Sequence, residues 1–323
     1  MPRIATYLKL ALAANLWGTT FAISKILLAT INVFALITLR MFFALGALLV
    51  YLVATRKIGK VVPMFKANVK WMLVIGIAFF AFAYILQYSA LSPWIPGRSS
   101  TFNQAVLLNL QAFFVVGINK LYFKKNASRY VIIGAMVAFT GAVLINFKPD
   151  GFSLAETIWS DLMTIGCVVL WGCFTAFSKP ISAKEGNDPI VFNTIIVMIA
   201  SIVLLPFGAL IPGGLENLPL LGAGEWIGIA WLGIACVGVT YVLWFSGLKE
   251  IDSSRVVVFV YMEPIFAGIL TFLIPVLGEQ LSWFSAIGMV LCFLGVTMAQ
   301  YDSRKIIPSP AAATKLLGGE ATP

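Results

Sequence analysis

The sequence predicts an all-α integral membrane protein with ten transmembrane helices, arranged as two inverted five-helix repeats. Three observations carry that expectation. Of the 323 residues, 60% are hydrophobic and only 11% charged, with a mean hydropathy of +0.97. A soluble domain is closer to about half apolar and about a quarter charged. Ten segments are apolar over the ~20 residues that a helix needs to cross a bilayer. Finally, the first half of the chain recurs in the second at a nearly constant offset.

The ten segments fall at 7–28, 33–54, 70–91, 99–118, 128–147, 159–179, 189–211, 225–246, 254–275 and 282–301. Backbone in lipid finds no water to bond, so each is expected to be helical. The first carries Arg3 and Lys9 ahead of an apolar run too long for a signal-peptide core, and reads as a membrane helix. The last two are separated only by the short stretch Pro275–Leu281, which suits a tight hairpin. The tail 302–323 is polar, carries Pro and Gly, and is expected to be disordered.

Lysine and arginine set the orientation. One side of the membrane collects Arg3, Lys9, Arg56, Lys57, Lys60, Lys66, Lys70, Lys120, Lys124, Lys125, Arg129, Lys179, Lys184, Lys249, Arg255, Arg304, Lys305 and Lys315. The other holds only Arg98 and Lys148, with Asp150, Glu156, Glu216, Glu225 and Glu279. Both termini and the tail are therefore expected in the cytoplasm. The net charge of +9 is a topology signal, and no nucleic-acid partner follows from it. The chain has no histidine, and Cys167, Cys173, Cys236 and Cys292 lie singly in apolar runs. These cysteines read as small buried side chains, and neither a metal site nor a cofactor is expected.

The internal repeat is specific. Trp17-Gly18 and Ser24-Lys25 recur 154 residues later as Trp171-Gly172 and Ser178-Lys179. At the same offset Ser99-Ser100 recurs as Ser253-Ser254, and Gly134, Phe139 and Gly141 as Gly288, Phe293 and Gly295. The third and eighth segments match at an offset of 157, bringing Tyr84 over Tyr241. An odd number of helices per half sends the second copy through the membrane in the opposite sense. Inverted repeats of that kind are typical of secondary transporters whose site lies at the repeat interface. Two units follow, 1–148 and 149–301.

The motifs WGTTFAISK at 17–25, Arg40, SSRVVVFVYMEPIFAGILTF from Ser253, and LGEQLSWFSAIGMVLCFLGV from Leu277 resemble the EamA family of the drug/metabolite transporter superfamily. The resemblance covers about residues 7–301. The second half fits well through Glu263-Pro264 and the turn Leu277–Glu279. The first half departs, with Asn109-Leu110-Gln111 where a proline is usual and Phe123–Asn126 in place of the turn. The resemblance implies a five-plus-five fold around a central cavity, in an inner (plasma) membrane, exporting small metabolites such as amino acids.

The residues that could carry such transport are polar groups inside apolar segments. Glu263 stands opposite Asn109 under the repeat and is the candidate proton-coupling carboxylate. Its alternative role is to bond a neighbouring helix and stabilise a kink at Pro264. Lys25 and Arg40 are the intramembrane cations. Lys25 can reach the interface with its stem; Arg40 either binds a substrate carboxylate or ties helices through backbone carbonyls, and a structural role is favoured for both. Trp17 with Trp171, and Tyr84 with Tyr241, are identical pairs that suit packing. Differing pairs, Asn109 with Glu263 and Gln87 with Trp244, suit recognition of an asymmetric solute. Ser100, Gln104 and Gln111 share one face of the fourth helix, lining a cavity or bonding between helices. Asn15 and Tyr261 complete the candidate lining.

The function these features predict is export of a small metabolite, an amino acid or similar, driven by protons. An uncoupled facilitator of small solutes and a flippase of lipid-linked substrates stay open as alternatives. No Ser/His pair, HExxH motif or paired aspartates occur, so an enzyme is not expected. The partners are a small-molecule substrate and the lipid bilayer; monomer and homodimer both remain open.

Overall fold

The structure is a computed structural model and describes residues 4–90, 104, 107–146, 158–211, 213–273 and 283–301. Among these residues the regular elements are all helical. α1 spans Ile4–Leu27, α2 Val33–Ala54, α3 Val69–Ser89, α4 Gln111–Leu121 and α5 Arg129–Asn146. In the second half α6 spans Ile158–Ser182, α7 Pro189–Leu210, α8 Ala223–Glu250, α9 residues 253–273 and α10 Trp283–Gln300. Six described helices, α2, α3, α6, α7, α8 and α10, are long and apolar enough to cross a membrane, and α5 is a shorter apolar helix. The expected spans at 99–118 and 254–275, and the hairpin at 275–281, lie wholly or partly outside the described residues, as does the tail 302–323.

Helix starts follow from local chemistry. Asn32 Oδ1 accepts the Phe34 N–H at 2.8 Å, capping α2. Asp188 Oδ1 accepts the Ile190 N–H at 2.9 Å and Pro189 follows it, which opens α7. α9 is interrupted. A turn at Ser253–Val256 leads into the 3₁₀ stretch Val257–Met262, and the α-helix Glu263–Leu273 follows. Pro264 has no N–H to give, and the Glu263 N–H bonds the Val260 carbonyl instead. α4 is preceded by a turn at Asn109-Leu110, where the Leu110 N–H bonds the Leu107 carbonyl at 3.0 Å without any proline.

Polarity is arranged for a lipid surround. Leu8, Val50, Ile202, Leu210, Ile227 and Val290 are exposed, whereas Thr38, Arg40, Asn119, Asn193 and Thr194 are buried. α5 and α10 meet through glycines. A Cβ on Gly141 would lie 2.5 Å from the Gly288 carbonyl, and one on Gly295 would lie 2.4 Å from the Gly134 carbonyl. Pairing of 134 with 295 and of 141 with 288 makes the two helices antiparallel. Small residues allow this approach where no hydrophobic drive exists between helices.

Polar ties lie at one end of the bundle, joining the halves through Asn119 and bracing the second half through Lys179. Asn119 Nδ2 donates to Ser253 Oγ at 2.9 Å and Ser254 Oγ at 2.7 Å. Lys179 Nζ donates to the carbonyls of Leu248 at 2.7 Å and Ile251 at 2.5 Å. Outside the spanning segments, Lys57 Nζ pairs with Asp188 Oδ2 at 2.7 Å. Burial pushes the Asp188 carboxyl up, but the bonds from Lys57 and from the Ile190 N–H outweigh it and hold the group below its usual range.

Two stability predictions follow. Gly295→Ala should lower the melting temperature in detergent by the equivalent of about 1–3 kcal/mol of overpacking. Gly117→Ala in α4, where nothing lies within 4 Å of an added Cβ, should not. A carboxyl held low in the folded state stabilises above its unfolded value, near 4, and that contribution fades as pH falls through the folded value. Melting curves from about pH 5 to about pH 3 should therefore show wild type losing up to ~1 kcal/mol more than Asp188→Asn, which retains the cap acceptor.

Candidate substrate site between the helices

In α3 the sequence FAFAYILQYS places Phe80, Tyr84, Gln87 and Tyr88 at helical spacing on one face. That face meets α6 and α8. Phe80 packs on Trp171 with centroids 5.5 Å apart and on Tyr241 at 5.2 Å, and Tyr84 packs on Trp171 at 5.1 Å. From α1, Trp17 packs edge-on against Tyr241 at 5.2 Å and Trp244 at 5.0 Å. Phe174 and Phe245 close the cluster against Tyr241. Edge-to-face contacts dominate, as ring quadrupoles favour. Trp17, Tyr84, Trp171, Tyr241 and Trp244 are thus brought into one place.

The amides surround this cluster. Gln87 Oε1 accepts the Trp171 indole N–H at 3.2 Å, and the Gln87 carbonyl accepts Gln104 Nε2 at 2.8 Å. Gln111 Nε2 reaches the Trp171 carbonyl and Thr175 Oγ1, both at 3.4 Å. Gln104 and Gln111 therefore bond between helices. Trp17, although equivalent to Trp171, donates its indole N–H to the Cys236 carbonyl at 3.1 Å. Cys236 lies in a π-helical stretch of α8, Ile234–Val239, and α3 carries a counterpart at Val74–Ala81. A π turn frees carbonyls from the regular ladder, and Asn193 Nδ2 takes the next available one, Gly238, at 3.1 Å.

Arg40 projects from α2 into this region and is 2% exposed. Its Nη1 donates to the Tyr88 hydroxyl at 2.6 Å, and its guanidinium carbon lies 5.3 Å from the centre of the Tyr84 ring. Among the described residues its Nε has no hydrogen-bond acceptor and no carboxylate forms an ion pair with it. Glu263 is half-buried at the start of the α-helical part of α9, where the helix dipole favours a negative charge. Its carbonyl packs against Gly18 of α1, and its carboxylate has no hydrogen-bond partner among the described residues. Tyr241 stands within electrostatic range of both Arg40 and Glu263.

The remaining candidates are dispersed. Asn15 bonds the Ala11 carbonyl of its own helix at 3.0 Å. Asn109 is buried in the turn before α4, and Tyr261 is buried in the 3₁₀ stretch with its hydroxyl unpartnered among the described residues. Lys25 belongs to α1 by its backbone, its side chain lying outside the described residues together with Ser100.

Sequence reasoning missed Tyr88, the hydrogen-bond partner of Arg40. The signal was present. At the offset of 157 Tyr88 stands over Phe245, a differing pair of the kind that separates recognition from packing.

The sequence profile of the EamA-like transporter family matches the chain twice, over residues 4–147 and 158–300. An uncharacterized transporter of Archaeoglobus fulgidus is 26% identical over 294 residues, covering 90% of this chain and 96% of its own. The uncharacterized transporter YyaM of Bacillus subtilis is 24% identical, covering 93% and 94%. A protein of Salmonella typhimurium described as a probable amino-acid metabolite efflux pump is 23% identical, covering 62% of this chain and 67% of its own. A solved crystal structure superposes with a TM-score of 0.72 at 19% identity, covering 93% of this chain and 97% of that one, which shows a shared fold. Buried polar groups within apolar helices and these relatives define a multi-pass membrane transporter, not an enzyme. The chain belongs to the EamA-like transporter family, of the drug/metabolite transporter type.

The two buried tyrosine hydroxyls predict opposite mutational responses. Tyr88→Phe removes the acceptor from a charged donor and should cost ~1.5–3 kcal/mol in unfolding experiments in detergent. Tyr261→Phe removes an unpartnered hydroxyl and should be neutral or stabilising by up to ~1 kcal/mol.

Proposed function

We propose that the protein exports a small metabolite of the amino-acid kind across the inner (plasma) membrane in exchange for protons. Ten transmembrane helices in two inverted five-helix repeats, 1–148 and 149–301, form the machinery, with both termini and the tail 302–323 in the cytoplasm. The observation that carries the reading is Glu263. It is a carboxylate without an ion-pair partner among the described residues, at a helix interruption beside the aromatic cluster between the halves.

Packing equivalences support the repeat. Gly18 of α1 meets Phe266 of α9, and Gly172 of α6 meets Phe114 of α4. Gly76 of α3 meets Ile199 of α7, and Gly233 of α8 meets Phe43 of α2. Each pair exchanges the halves. The interruptions at Asn109-Leu110 and Val257–Met262 also fall at equivalent places, as expected of discontinuous helices around a transport site. The polar ties of Lys57, Asn119 and Lys179 lie at the lysine-rich end, which supports its assignment to the cytoplasm. The name of the Salmonella relative supports an amino-acid-like cargo.

In this mechanism Glu263 is occupied in turn. A proton from outside neutralises the carboxylate for the inward reset, and release of that proton inside leaves the anion to hold the ammonium of the departing solute. The test is counterflow of labelled amino acids in proteoliposomes, with and without a pH gradient. Wild type should respond to the gradient, and Glu263→Gln should exchange substrate without that response. Exchange indifferent to both the gradient and the substitution would replace coupling by facilitated diffusion. Translocation of a labelled lipid without amino-acid exchange would replace the reading by a flippase.

A further inference from the structure

We infer that Arg40 is the carboxylate-binding residue of the transport site, so that the protein selects solutes bearing a free carboxylate. The inference rests on the transport reading above and names the substrate class of that site.

A guanidinium offers five N–H donors in a planar fork, and its Nε/Nη edge matches the two oxygens of a carboxylate. In Arg40, Nη1 is taken by the Tyr88 hydroxyl at 2.6 Å, while Nε has no acceptor among the described residues although Arg40 is 2% exposed. The edge that receives a carboxylate is therefore unfilled by any described residue. A cation that served only to tie helices would turn its donors to backbone carbonyls. Lys179 in this same chain does so, bonding the carbonyls of Leu248 and Ile251. Arg40 has no such bond among the described residues.

The placement fits an asymmetric ligand. At the repeat offsets Arg40 and Tyr88 have Thr194 and Phe245 as counterparts, and Glu263 has Asn109. Each half thus supplies one charge that the other lacks, positive from α2 and negative from α9. Tyr241 lies within electrostatic range of both. A solute with its carboxylate on Arg40 and its ammonium toward Glu263 would lie along the aromatic cluster. The Tyr84 ring covers Arg40, so a ligand would reach the guanidinium when the halves part.

The test is competition in counterflow of a labelled mixture of L-amino acids into proteoliposomes. The competitors are unlabelled L-amino acids and the matching amino-acid amides, which keep the ammonium and lack the carboxylate. In wild type the amides should compete at least about tenfold more weakly, since a site built around a polar group rejects the analogue that lacks it. In Arg40→Gln the two competitors should become equal. Arg40→Lys, which keeps the charge without the fork, should weaken the acids and leave the amides unchanged. Should Arg40→Gln fail to give monodisperse protein, Arg40→Lys decides alone. Amides competing as well as acids in wild type, or unchanged discrimination in a folded variant, would overturn the inference and leave transport standing. An absence of counterflow with every labelled amino acid would overturn both.

Discussion

Inside a membrane every backbone N–H and C=O must find its partner within the protein, because lipid offers none. The departures from regular helix in this chain are therefore the places where something else completes the ladder. In α8 the π-helical stretch Ile234–Val239 presents carbonyls that Trp17 and Asn193 take up from α1 and α7. In α9 the missing N–H of Pro264 is answered by a 3₁₀ bond from Glu263 to Val260. Each irregularity is thus also a contact or a charge placement. Glu263 sits at the end of the 3₁₀ stretch of α9, and Phe80 of the aromatic cluster lies within the π-helical stretch of α3.

Charge obeys the same constraint more severely. An ionised side chain in an apolar bundle is costly and is usually paired. The ends of the bundle comply, through Lys57 with Asp188 and Lys179 with two carbonyls. Arg40 and Glu263 do not comply with each other or with any described carboxylate or cation. Tyr241 of the aromatic cluster stands in electrostatic range of both, and no salt bridge joins them among the described residues.

Much of this was legible in the sequence. Hydropathy placed α2 at its observed bounds, since Asn32 caps one end and apolar residues run to Ala54. The repeat pairs Trp17 with Trp171 and Tyr84 with Tyr241, at offsets of 154 and 157, and the structure packs the four into one cluster. The π stretches in α3 and α8 were not legible; in α8 the freed carbonyls accept from side chains of α1 and α7, which no local pattern marks. Nor was the turn at Asn109-Leu110, which forms without the proline that marks its counterpart. Gln104 and Gln111 show a subtler limit. Their spacing revealed a common face, but not that Gln87 and Trp171 would meet it.

Symmetry explains why the differing residues carry the chemistry. On the proposed reading, two inverted copies of one helix bundle would generate a frame in which glycines, tryptophans and helix breaks are duplicated because both halves need the same packing. A solute with a distinct head and tail breaks that equivalence, and the chain must break it too. At the site the two halves differ at Arg40 against Thr194, Tyr88 against Phe245, and Glu263 against Asn109. Replacing Phe by Tyr adds one hydroxyl at position 88, and that hydroxyl orients the guanidinium of Arg40. In the proposed mechanism, rocking of the duplicated frame would open either side of the membrane, while the unduplicated residues would decide what the frame carries.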